Sequence, residues 1–403
     1  MKIAIVCLNL SWQAGGVRLI YSTARAFKKL GHQVIIYSPE INESAYPDLR
    51  NGLDIRIIAP PQPINWQYKS KNLFMRIFEK IKRERALAAT VRDMGEAMDN
   101  DFDIVNMHDF SYRIAKLYKS KNSRAKIIWT MNDPPYMYLP KDNFIYDILS
   151  RLFNFYKDIF ERKYFRFIDE AVVLIGRNKK WVEERGIRGK VIWSGLDFDR
   201  FYAPLKNIFG KNKFTILGVG TLNKYRRFED IICAVKILRE RKYDVCATIV
   251  CKNIWKEDLY KEDLLGFARS EGVEREISFL FEGASDKELK NFYASSDFFV
   301  LPIHLPPPRD GFGWQLVPFE SMAAGTPVIV SRKNDVGEAL IDKETALFVD
   351  PLSPAQIADA VELLIKNPEL YSKIAKDGQK FVRMNMSWEK YSKSLLELVN
   401  MIS

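Results

Sequence analysis

Short apolar runs alternate with amphipathic segments from the start of the chain. "KIAIVCL" is followed by a turn with two glycines, by the amphipathic "RLIYSTARAFKKLGH" and by a second apolar run, "QVIIYSP". Leu19, Ile20, Ala24 and Phe27 recur at helical spacing, and Gly31 ends that segment. The spacing predicts strand, turn, helix and strand. Further apolar runs, "FDIVNMHD", "KIIWTMND", "EAVVLI" and "KVIWSG", extend the alternation, which is typical of βαβ units around a parallel sheet.

A polar, turn-rich segment near residue 200, "SGLDFDRFYAPLKNIFGKNK", interrupts this pattern and is expected to be a linker. A second series follows, with apolar runs such as "FTILGVGTL", "DVCATIVC", "FFVLPI" and "PVIVS". Helices are predicted between and after these runs at 228–240, 256–271, 286–295, 316–324 and 354–365. The final "SWEKYSKSLLELVNMIS" is one more amphipathic helix. Two successive α/β series predict two Rossmann-like domains facing across a cleft.

Composition narrows the class of partner. The 403 residues suit two domains, and 62 Lys and Arg against 51 Asp and Glu give a net charge of +11. Such an excess suits an anionic partner, whether nucleic acid, acidic lipid or a phosphorylated small molecule. We find no nucleic-acid-binding motif, and the cysteines and histidines lack metal-ligand spacing, so no metal site is expected.

The chain contains no apolar run near the roughly 18 residues that cross a bilayer. Its apolar start is short and runs directly into the glycine turn, so we interpret it as a first strand rather than a signal peptide. We therefore expect a cytoplasmic protein that can still touch the inner face of the cell membrane.

One stretch, "RDGFGWQLVPFESMAAGTPVIV", carries a candidate binding site between two apolar runs. A loop rich in Pro and Gly leads to a helix beginning near Leu316, and Glu320 lies one turn inside that helix. Ligands of open α/β sheets bind beyond the carboxyl ends of the strands. A carboxylate there can accept two hydrogen bonds from a ribose diol. The alternative is an exposed helix glutamate.

The same stretch resembles the "E-G-F-G-L-x-x-x-E-A-M-A-x-G-x-P-V-I" signature of retaining GT-B glycosyltransferases. Four other segments follow that family's motifs in the same order along the chain: "DIVNMHD", "WSGLDFDRFYAP", "GVGTLNKYRRFEDIICAVKIL" and "FLFEGASDKELKNFYASSDFFVLP". The resemblance implies a GT-B fold. Residues 1–203 would form an acceptor-binding domain, residues 204–385 a nucleotide-sugar-binding domain, and residues 386–403 a helix that packs back on the first domain.

The resemblance assigns a role to Glu320, which matches the second of the family's two glutamates and would hold the ribose of the nucleotide. The first glutamate, eight positions earlier, would touch the donor sugar, but Phe312 stands there. Asp310 precedes "GFG" as the family's first glutamate does. Either an insertion near Trp314 and Gln315 restores Asp310 to that catalytic role, or the role is lost. The loop residues Gly313, Trp314, Gln315 and Leu316 would also line the donor site.

Cations are expected opposite the leaving diphosphate, where developing charge needs fixed positive groups. Arg226 stands at the family's lysine and Arg227 at its glycine, while Thr221 replaces the family's arginine. Lys224 is a weaker candidate, and Gly220 belongs to the same donor-binding motif. The alternative is a solvated basic turn. The family usually works without a metal or cofactor, so none is expected here.

In the first domain, His108 matches the family's second histidine and would contact the donor sugar near the reacting carbon. A lone histidine can equally be structural. Gly15 and Gly16 would form a mobile loop near the diphosphate and the acceptor, or a plain tight turn. Asn132 stands where relatives often carry another histidine, in a loop expected to face the acceptor.

Two further segments suggest contact surfaces. Residues 67–85, "QYKSKNLFMRIFEKIKRER", place basic residues around an apolar helical stripe, a pattern that suits an anionic membrane. Residues 144–167 add an aromatic-rich segment, "FIYDILSRLFNFYKDIFERKYFRF". The alternative is two ordinary core helices with solvated basic faces.

The sequence thus predicts a metal-independent hexosyltransferase that moves a hexose, with retention, from a nucleotide-diphosphate sugar to a glycan acceptor. A lipid-linked cell-surface polysaccharide fits the acceptor. Two alternatives stay open: a nucleotide-sugar epimerase or hydrolase of the same fold, and a degenerate subunit without catalysis. The base, the sugar, the acceptor and the linkage are not specified by these motifs.

Overall fold

The computed structural model of the chain describes residues 1–11, 15–60, 64, 73–136, 144–253, 257–305 and 313–402. The chain divides into two compact units. The first unit contains Met1–Gly195 and Trp388–Ser403, and the second unit contains Leu196–Ser387. The boundary anticipated from sequence lay after residue 203, and the predicted closing segment began at residue 386. In the structure the chain leaves the first unit after Gly195 and rejoins it at Trp388.

The first unit is built on a parallel sheet of seven strands in the order β3-β2-β1-β4-β5-β6-β7. These are β1 (Lys2–Val6), β2 (Gln33–Ser38), β3 (Asp54–Ile57), β4 (Ile104–His108), β5 (Lys126–Met131), β6 (Glu170–Val173) and β7 (Gly189–Val191). The central strands β1 and β4 pair in register with Ile3 opposite Ile104. Both are buried almost throughout, as expected where helices cover both faces of a parallel sheet.

Six helices accompany this sheet before the chain leaves the unit. They are α1 (Gly15–Lys29), α2 (Pro47–Arg50), α3 (Leu73–Ala97), α4 (Ala115–Lys121), α5 (Phe144–Phe165) and α6 (Gly176–Glu183). A short 3-10 segment, Asp109–Ile114, follows β4 directly. The predicted end of the first helix is confirmed, because α1 stops at Lys29 and Gly31 adopts a φ of +87° that favours glycine.

The second unit has a parallel sheet of six strands in the order β10-β9-β8-β11-β12-β13. These are β8 (Lys213–Thr221), β9 (Asp244–Lys252), β10 (Ile277–Leu280), β11 (Phe298–Leu301), β12 (Val328–Ser331) and β13 (Leu347–Val349). Its helices are α7 (Phe198–Phe201), α8 (Phe228–Glu240), α9 (Asp258–Ser270), α10 (Asp286–Ser295), α11 (Val317–Ala323), α12 (Pro354–Lys366) and α13 (Pro368–Asn385). Two 3-10 segments, Lys224–Arg226 and Asp335–Ala339, complete it.

The last helix, α14 (Trp388–Met401), belongs to the first unit and packs against α1. It passes so close to Gly195 that a Cβ built there would lie 2.5 Å from the Trp388 backbone nitrogen. Only glycine fits at that point without a backbone shift. The two parallel sheets confirm the predicted class, an α/β protein with two Rossmann-like domains. No helix in the described ranges has the length and apolar character that spanning a bilayer requires.

Candidate functional site

Glu320 lies in the first turn of α11 and is only 5% exposed, so it is not a solvated surface glutamate. The hydroxyl group of Tyr293, which comes from α10, donates a hydrogen bond of 2.8 Å to Glu320 Oε2. Tyr293 itself is fully buried. A hydroxyl donor that cannot reorient towards water fixes this carboxylate in one position.

Arg226 ends the 3-10 segment after β8 and is 7% exposed. The guanidinium fits because Gly220 has no side chain: a Cβ built on Gly220 would lie 2.8 Å from Arg226 Nε. Burial lowers the pKa of Arg226 to about 10, and the phenol of Tyr293 acts in the opposite direction. Arg226 therefore stays a cation at neutral pH, and it shares the neighbour that holds Glu320.

The other two predicted donor-site cations have different surroundings. Arg227 adopts a φ of +55°, the left-handed conformation that explains why glycine is the family residue there. Its guanidinium donates to both carboxylate oxygens of Asp230, at 2.7 and 3.3 Å. The Lys224 side chain is 68% exposed and lies 3.9 Å from the carboxylate of Asp263. Of the three, Arg226 alone is buried close to the Tyr293–Glu320 pair.

The loop that precedes α11 is held by its own contacts. The Gly313 backbone N–H donates to Asp335 Oδ2 at 2.6 Å, and the Gln315 side-chain amide donates to the Gly313 carbonyl oxygen. The Trp314 ring stacks on Phe319 with centroids 5.0 Å apart. Leu316 already has helical backbone angles, so it starts the turn that carries Glu320.

Two residues from the sequence argument fall outside the described residues. Asp310 and Phe312 both belong to residues 306–312, between the ranges 257–305 and 313–402. The assignment of Asp310 to the role of the family's first glutamate therefore stays a prediction.

In the first unit, His108 ends β4 and is 1% exposed. Within the described part of the chain, neither of its ring nitrogens has a hydrogen-bond partner. Burial lowers the pKa of this imidazole to about 3. His108 is therefore neutral at physiological pH, with one N–H to donate and one nitrogen to accept.

Asp109 follows His108 in a left-handed conformation with a φ of +48°, which is strained for a residue with a side chain. Its carboxylate accepts from the Asn132 backbone N–H at 3.1 Å and from Asn132 Nδ2 at 3.2 Å. Burial raises the pKa of Asp109 to about 6. The Trp129 indole N–H donates to the Asp109 carbonyl oxygen at 2.8 Å, which anchors the turn.

Gly15 and Gly16, predicted to form a loop or a tight turn, instead begin helix α1, next to this turn. A Cβ built on Gly16 would come 3.8 Å from Asn132 Nδ2, whereas one on Gly15 would meet nothing within 4 Å. Neither glycine has a positive φ, so local turn geometry does not require glycine at either position. The fold thus gathers Gly16, Asn132, Asp109 and His108 at the carboxyl ends of the central strands.

Three polar residues of these clusters were not singled out from the sequence: Tyr293, Asp109 and Asp335. The signal for two of them was present, since Tyr293 is the tyrosine of the quoted "ELKNFYASSD" segment and Asp109 is the aspartate of "NMHD". No comparable motif marks Asp335. The described residues contain no group of three or more His, Cys, Asp or Glu that could hold a metal ion.

Two family models match consecutive parts of the chain. Residues 203–381 match Glycosyl transferases group 1, and residues 14–200 match Glycosyltransferase Family 4. Together they cover both α/β units. The chain belongs to this family of glycosyltransferases.

Curated relatives of this glycosyltransferase act on several different molecules. Mannosylfructose-phosphate synthase of Agrobacterium fabrum is 25% identical over 232 residues, 54% of this chain and 49% of the relative. The D-inositol 3-phosphate glycosyltransferase of Corynebacterium glutamicum is 30% identical over 183 residues, 45% of this chain and 42% of the relative. The chain spans about half the length of the curated relatives it matches.

Solved structures resemble this glycosyltransferase over nearly its whole length. Anabaena HepE in complex with UDP superposes with a TM-score of 0.71 and 14% identity, covering 99% of this chain and 100% of that one. A glycosyltransferase from Rickettsia africae gives a TM-score of 0.72 with 18% identity, covering 100% of this chain and 98% of that one. These likenesses establish the GT-B fold.

Proposed function

We propose that this glycosyltransferase moves a hexose from a nucleotide-diphosphate sugar to a glycan acceptor, with retention of configuration and without a metal. The observation that carries the proposal is the buried Arg226 cation next to Tyr293, whose hydroxyl fixes the Glu320 carboxylate. In this proposal Glu320 accepts hydrogen bonds from the ribose diol, and Arg226 neutralises the diphosphate. A guanidinium suits phosphate oxygens because it donates two parallel hydrogen bonds.

The reaction would break the bond between the anomeric carbon and the departing phosphate oxygen while the acceptor oxygen approaches from the same face. The acceptor proton passes to that phosphate oxygen, and the nucleoside diphosphate leaves. Arg226 stabilises the charge that develops on the diphosphate. Because His108 is neutral, it can donate or accept a hydrogen bond at a sugar hydroxyl without opposing the positive charge that develops at the anomeric carbon. Asp310 is proposed to contact the donor sugar.

We further propose that Gly313, Trp314, Gln315 and Leu316 line the donor side, with Gly220 giving room for Arg226. On the acceptor side we propose Gly15, Gly16 and Asn132. The nearness of Gly16 to Asn132 supports this grouping. Lys224 and Arg227 are weaker donor ligands, since one is exposed and the other is paired with Asp230.

The acceptor is proposed to be a growing glycan, carried on lipid at the cytoplasmic side of the membrane, where nucleotide sugars are available. Residues 67–85 remain the proposed peripheral contact with an anionic membrane. In the described part of that range, the side chains of Phe78 and Ile81 are exposed at 62% and 47%. Both are apolar residues of the predicted stripe.

The test begins with calorimetric binding of UDP, GDP and ADP, since HepE structures contain UDP. We expect one of the three to bind, and Glu320→Gln to weaken that binding. Lys224→Gln, at an exposed site in the same motif, is the matched comparison and should weaken binding much less than Glu320→Gln does. If the parent binds no nucleoside diphosphate, the proposal is wrong and a subunit without catalysis is favoured.

The chemistry is then assayed with UDP- and GDP-hexoses, with and without glycan acceptors, in the presence and absence of EDTA. We expect a transfer product whose anomeric configuration equals that of the donor, at a rate that EDTA leaves unchanged. Epimerised donor as the main product, or release of free sugar unaffected by any acceptor, would favour an epimerase or a hydrolase instead.

A further inference from the structure

Helix α5 exposes a continuous apolar face. Its large apolar side chains recur at helical spacing along one side, and their exposures range from 41% for Ile148 to 68% for Tyr156. We call this set the α5 face: Ile148, Leu149, Leu152, Phe153, Phe155, Tyr156, Ile159 and Phe160. Single exposed apolar residues are ordinary on protein surfaces, but a contiguous helical stripe of them marks a contact surface.

The charges around the α5 face have one sign. The acidic side chains of α5 are turned inward, with Asp147, Asp158 and Glu161 exposed by only 15%, 17% and 0%. Each of them is paired with an arginine. The arginines at the surface are well exposed, at 66% for Arg151 and 57% for Arg162. Seen from solvent, the α5 face is therefore apolar with a basic rim.

Helix α3 lies alongside and extends the same character. Lys80 Nζ lies 2.9 Å from the centroid of the Phe153 ring, and Arg113 bridges Glu84 of α3 and Glu161 of α5. These contacts hold α3 beside α5, with the Lys80 contact at the edge of the α5 face. Phe78 and Ile81 of α3 are also exposed, and Lys82 and Arg85 next to them add positive charge.

We propose that the α5 face, with the exposed end of α3, inserts into the interface of a lipid bilayer that carries anionic headgroups. Large apolar side chains would enter the headgroup boundary while the arginines of the rim meet lipid phosphates. A second copy of this chain would fit the face poorly. It would bring the same basic rim against itself, in a chain with a net charge of +11. The α3 part of this surface belongs to residues 67–85, for which membrane contact is already part of the proposed function, and the α5 face extends that contact. Lipid binding itself does not depend on the proposed sugar transfer.

The test is co-sedimentation of the full chain with vesicles of phosphatidylcholine alone, and with vesicles of phosphatidylcholine and phosphatidylglycerol in equal parts. We expect binding to the anionic vesicles only, weakened by salt. Phe155→Ser combined with Tyr156→Ser should lower the partition coefficient by about tenfold or more. Arg166, directly after the end of α5, is exposed as well and adds to the rim. Arg162→Gln combined with Arg166→Gln should lower the partition coefficient by about fivefold for each charge removed. The loss of Arg162 does not leave Asp158 without an ion pair, because Arg185 lies 2.6 Å from its carboxylate.

The matched control is Phe209→Ser combined with Leu259→Ser, which removes two side chains of the second unit that are 79% and 84% exposed. This variant should bind vesicles as the parent does. Light scattering of the chain without lipid tests the competing interpretation, in which the α5 face binds a second copy of the chain. If the parent is a dimer that Phe155→Ser and Tyr156→Ser convert to a monomer, or if neutral and anionic vesicles bind equally, the proposal is overturned. Nucleoside diphosphate binding, measured in the same preparations, reports separately on the proposed function.

Discussion

The two units place polar clusters at the carboxyl ends of their sheets, but the clusters differ in charge. In the second unit a buried guanidinium, Arg226, lies close to the Tyr293–Glu320 pair. In the first unit the buried imidazole of His108 is neutral, and Asp109 beside it has a pKa raised to about 6. At neutral pH the cluster of the second unit holds a buried guanidinium. The cluster of the first unit holds a neutral imidazole and a carboxyl group that stays protonated only below about pH 6.

In the proposed function, the Arg226 guanidinium would donate to diphosphate oxygens, because it can form two parallel hydrogen bonds. Sugar hydroxyls need only neutral donors and acceptors, such as the imidazole of His108. The proposal therefore assigns the nucleotide to the cluster of the second unit and the sugar to that of the first. The same α/β architecture supports both because the strand ends, not the core, decide the chemistry.

The largest expected effect comes from removing the buried charge. Arg226→Met keeps the apolar stem but no cation, and it should lower the affinity for the nucleoside diphosphate by about 100-fold or more. Arg226→Lys, which restores the family's residue, should recover most of the loss. Lys224→Met is the surface control. Calorimetric titration measures the affinity of all three variants. If Arg226→Met and Lys224→Met lose affinity equally, Arg226 is not a specific diphosphate ligand, and the segment acts only as a basic turn.

The pH dependence of stability tests the two shifted pKa values of the first unit's cluster. The folded pKa of His108, about 3, lies below its usual 6.5, so the native state binds fewer protons than the unfolded state between those values. The contribution of His108 to stability is therefore complete above pH 6.5 and is lost as the pH falls towards 3. Asp109 has the opposite sign: its folded pKa, about 6, lies above its usual 3.8, so its contribution is lost as the pH rises through that window.

His108→Gln and Asp109→Asn should therefore change the pH dependence in opposite directions. Between pH 4 and pH 6.5, the parent should gain about 3 kcal/mol of stability relative to His108→Gln. Over the same range it should lose about 2 kcal/mol relative to Asp109→Asn. Urea unfolding at several pH values gives the difference curves, in which the unchanged carboxylates cancel. Parallel curves for parent and variants would mean that burial does not shift the pKa values of these two groups.

The hydrogen bond to Glu320 is expected to have a smaller effect. Tyr293→Phe removes only the hydroxyl group, so the carboxylate loses one donor, and nucleotide affinity should fall by about tenfold. Tyr260→Phe is the matched control: the Tyr260 hydroxyl donates to Glu229 Oε2 at 3.0 Å in the same unit, and Tyr260 is likewise buried. Both variants should lose similar stability. A loss of affinity in both would point to a general structural effect rather than to positioning of Glu320.

Periodicity and motifs predicted much of this architecture. The helices expected at 228–240 and 286–295 have the bounds of α8 and α10. Apolar residues at helical spacing mark both, and a capping box of Ser285 and Glu288 begins α10. β3 was missed, since its four residues lie at a sheet edge and are incompletely buried. α13 was missed because it begins at Pro368, two residues after α12 ends at Lys366, so no polar loop separates them.

The sequence also predicted the candidate site only in part. Glu320 and Arg226 could be found because each occupies a motif position. Their common neighbour Tyr293 could not be assigned, since it lies 27 residues before Glu320 and meets it only after α10 and α11 pack together. Arg227 was grouped with Arg226 because both occupy positions of the same motif. In the structure, Arg227 has a left-handed backbone and its guanidinium pairs with Asp230. Sequence spacing identifies groups, and tertiary packing decides which of them meet.

The smallest expected effect concerns Gly16, where the two interpretations of the glycine loop diverge. A Cβ at Gly16 makes only an ordinary contact with Asn132, and the residue lies in α1, so Gly16→Ala should raise stability by about 0.5 kcal/mol. Gly266→Ala, within α9 and with nothing within 4 Å of its Cβ, is the matched control and should gain similar stability.

The transfer rate separates the two interpretations of these glycines. If they only turn the chain, both variants keep the parent's transfer rate. If their backbone approaches the substrate, as we expect, Gly16→Ala alone should lower kcat severalfold while nucleotide affinity is unchanged. If the two variants transfer sugar at equal rates, the glycines do not take part in the reaction. His108 and Asn132 would then be the proposed site residues of the first unit that remain.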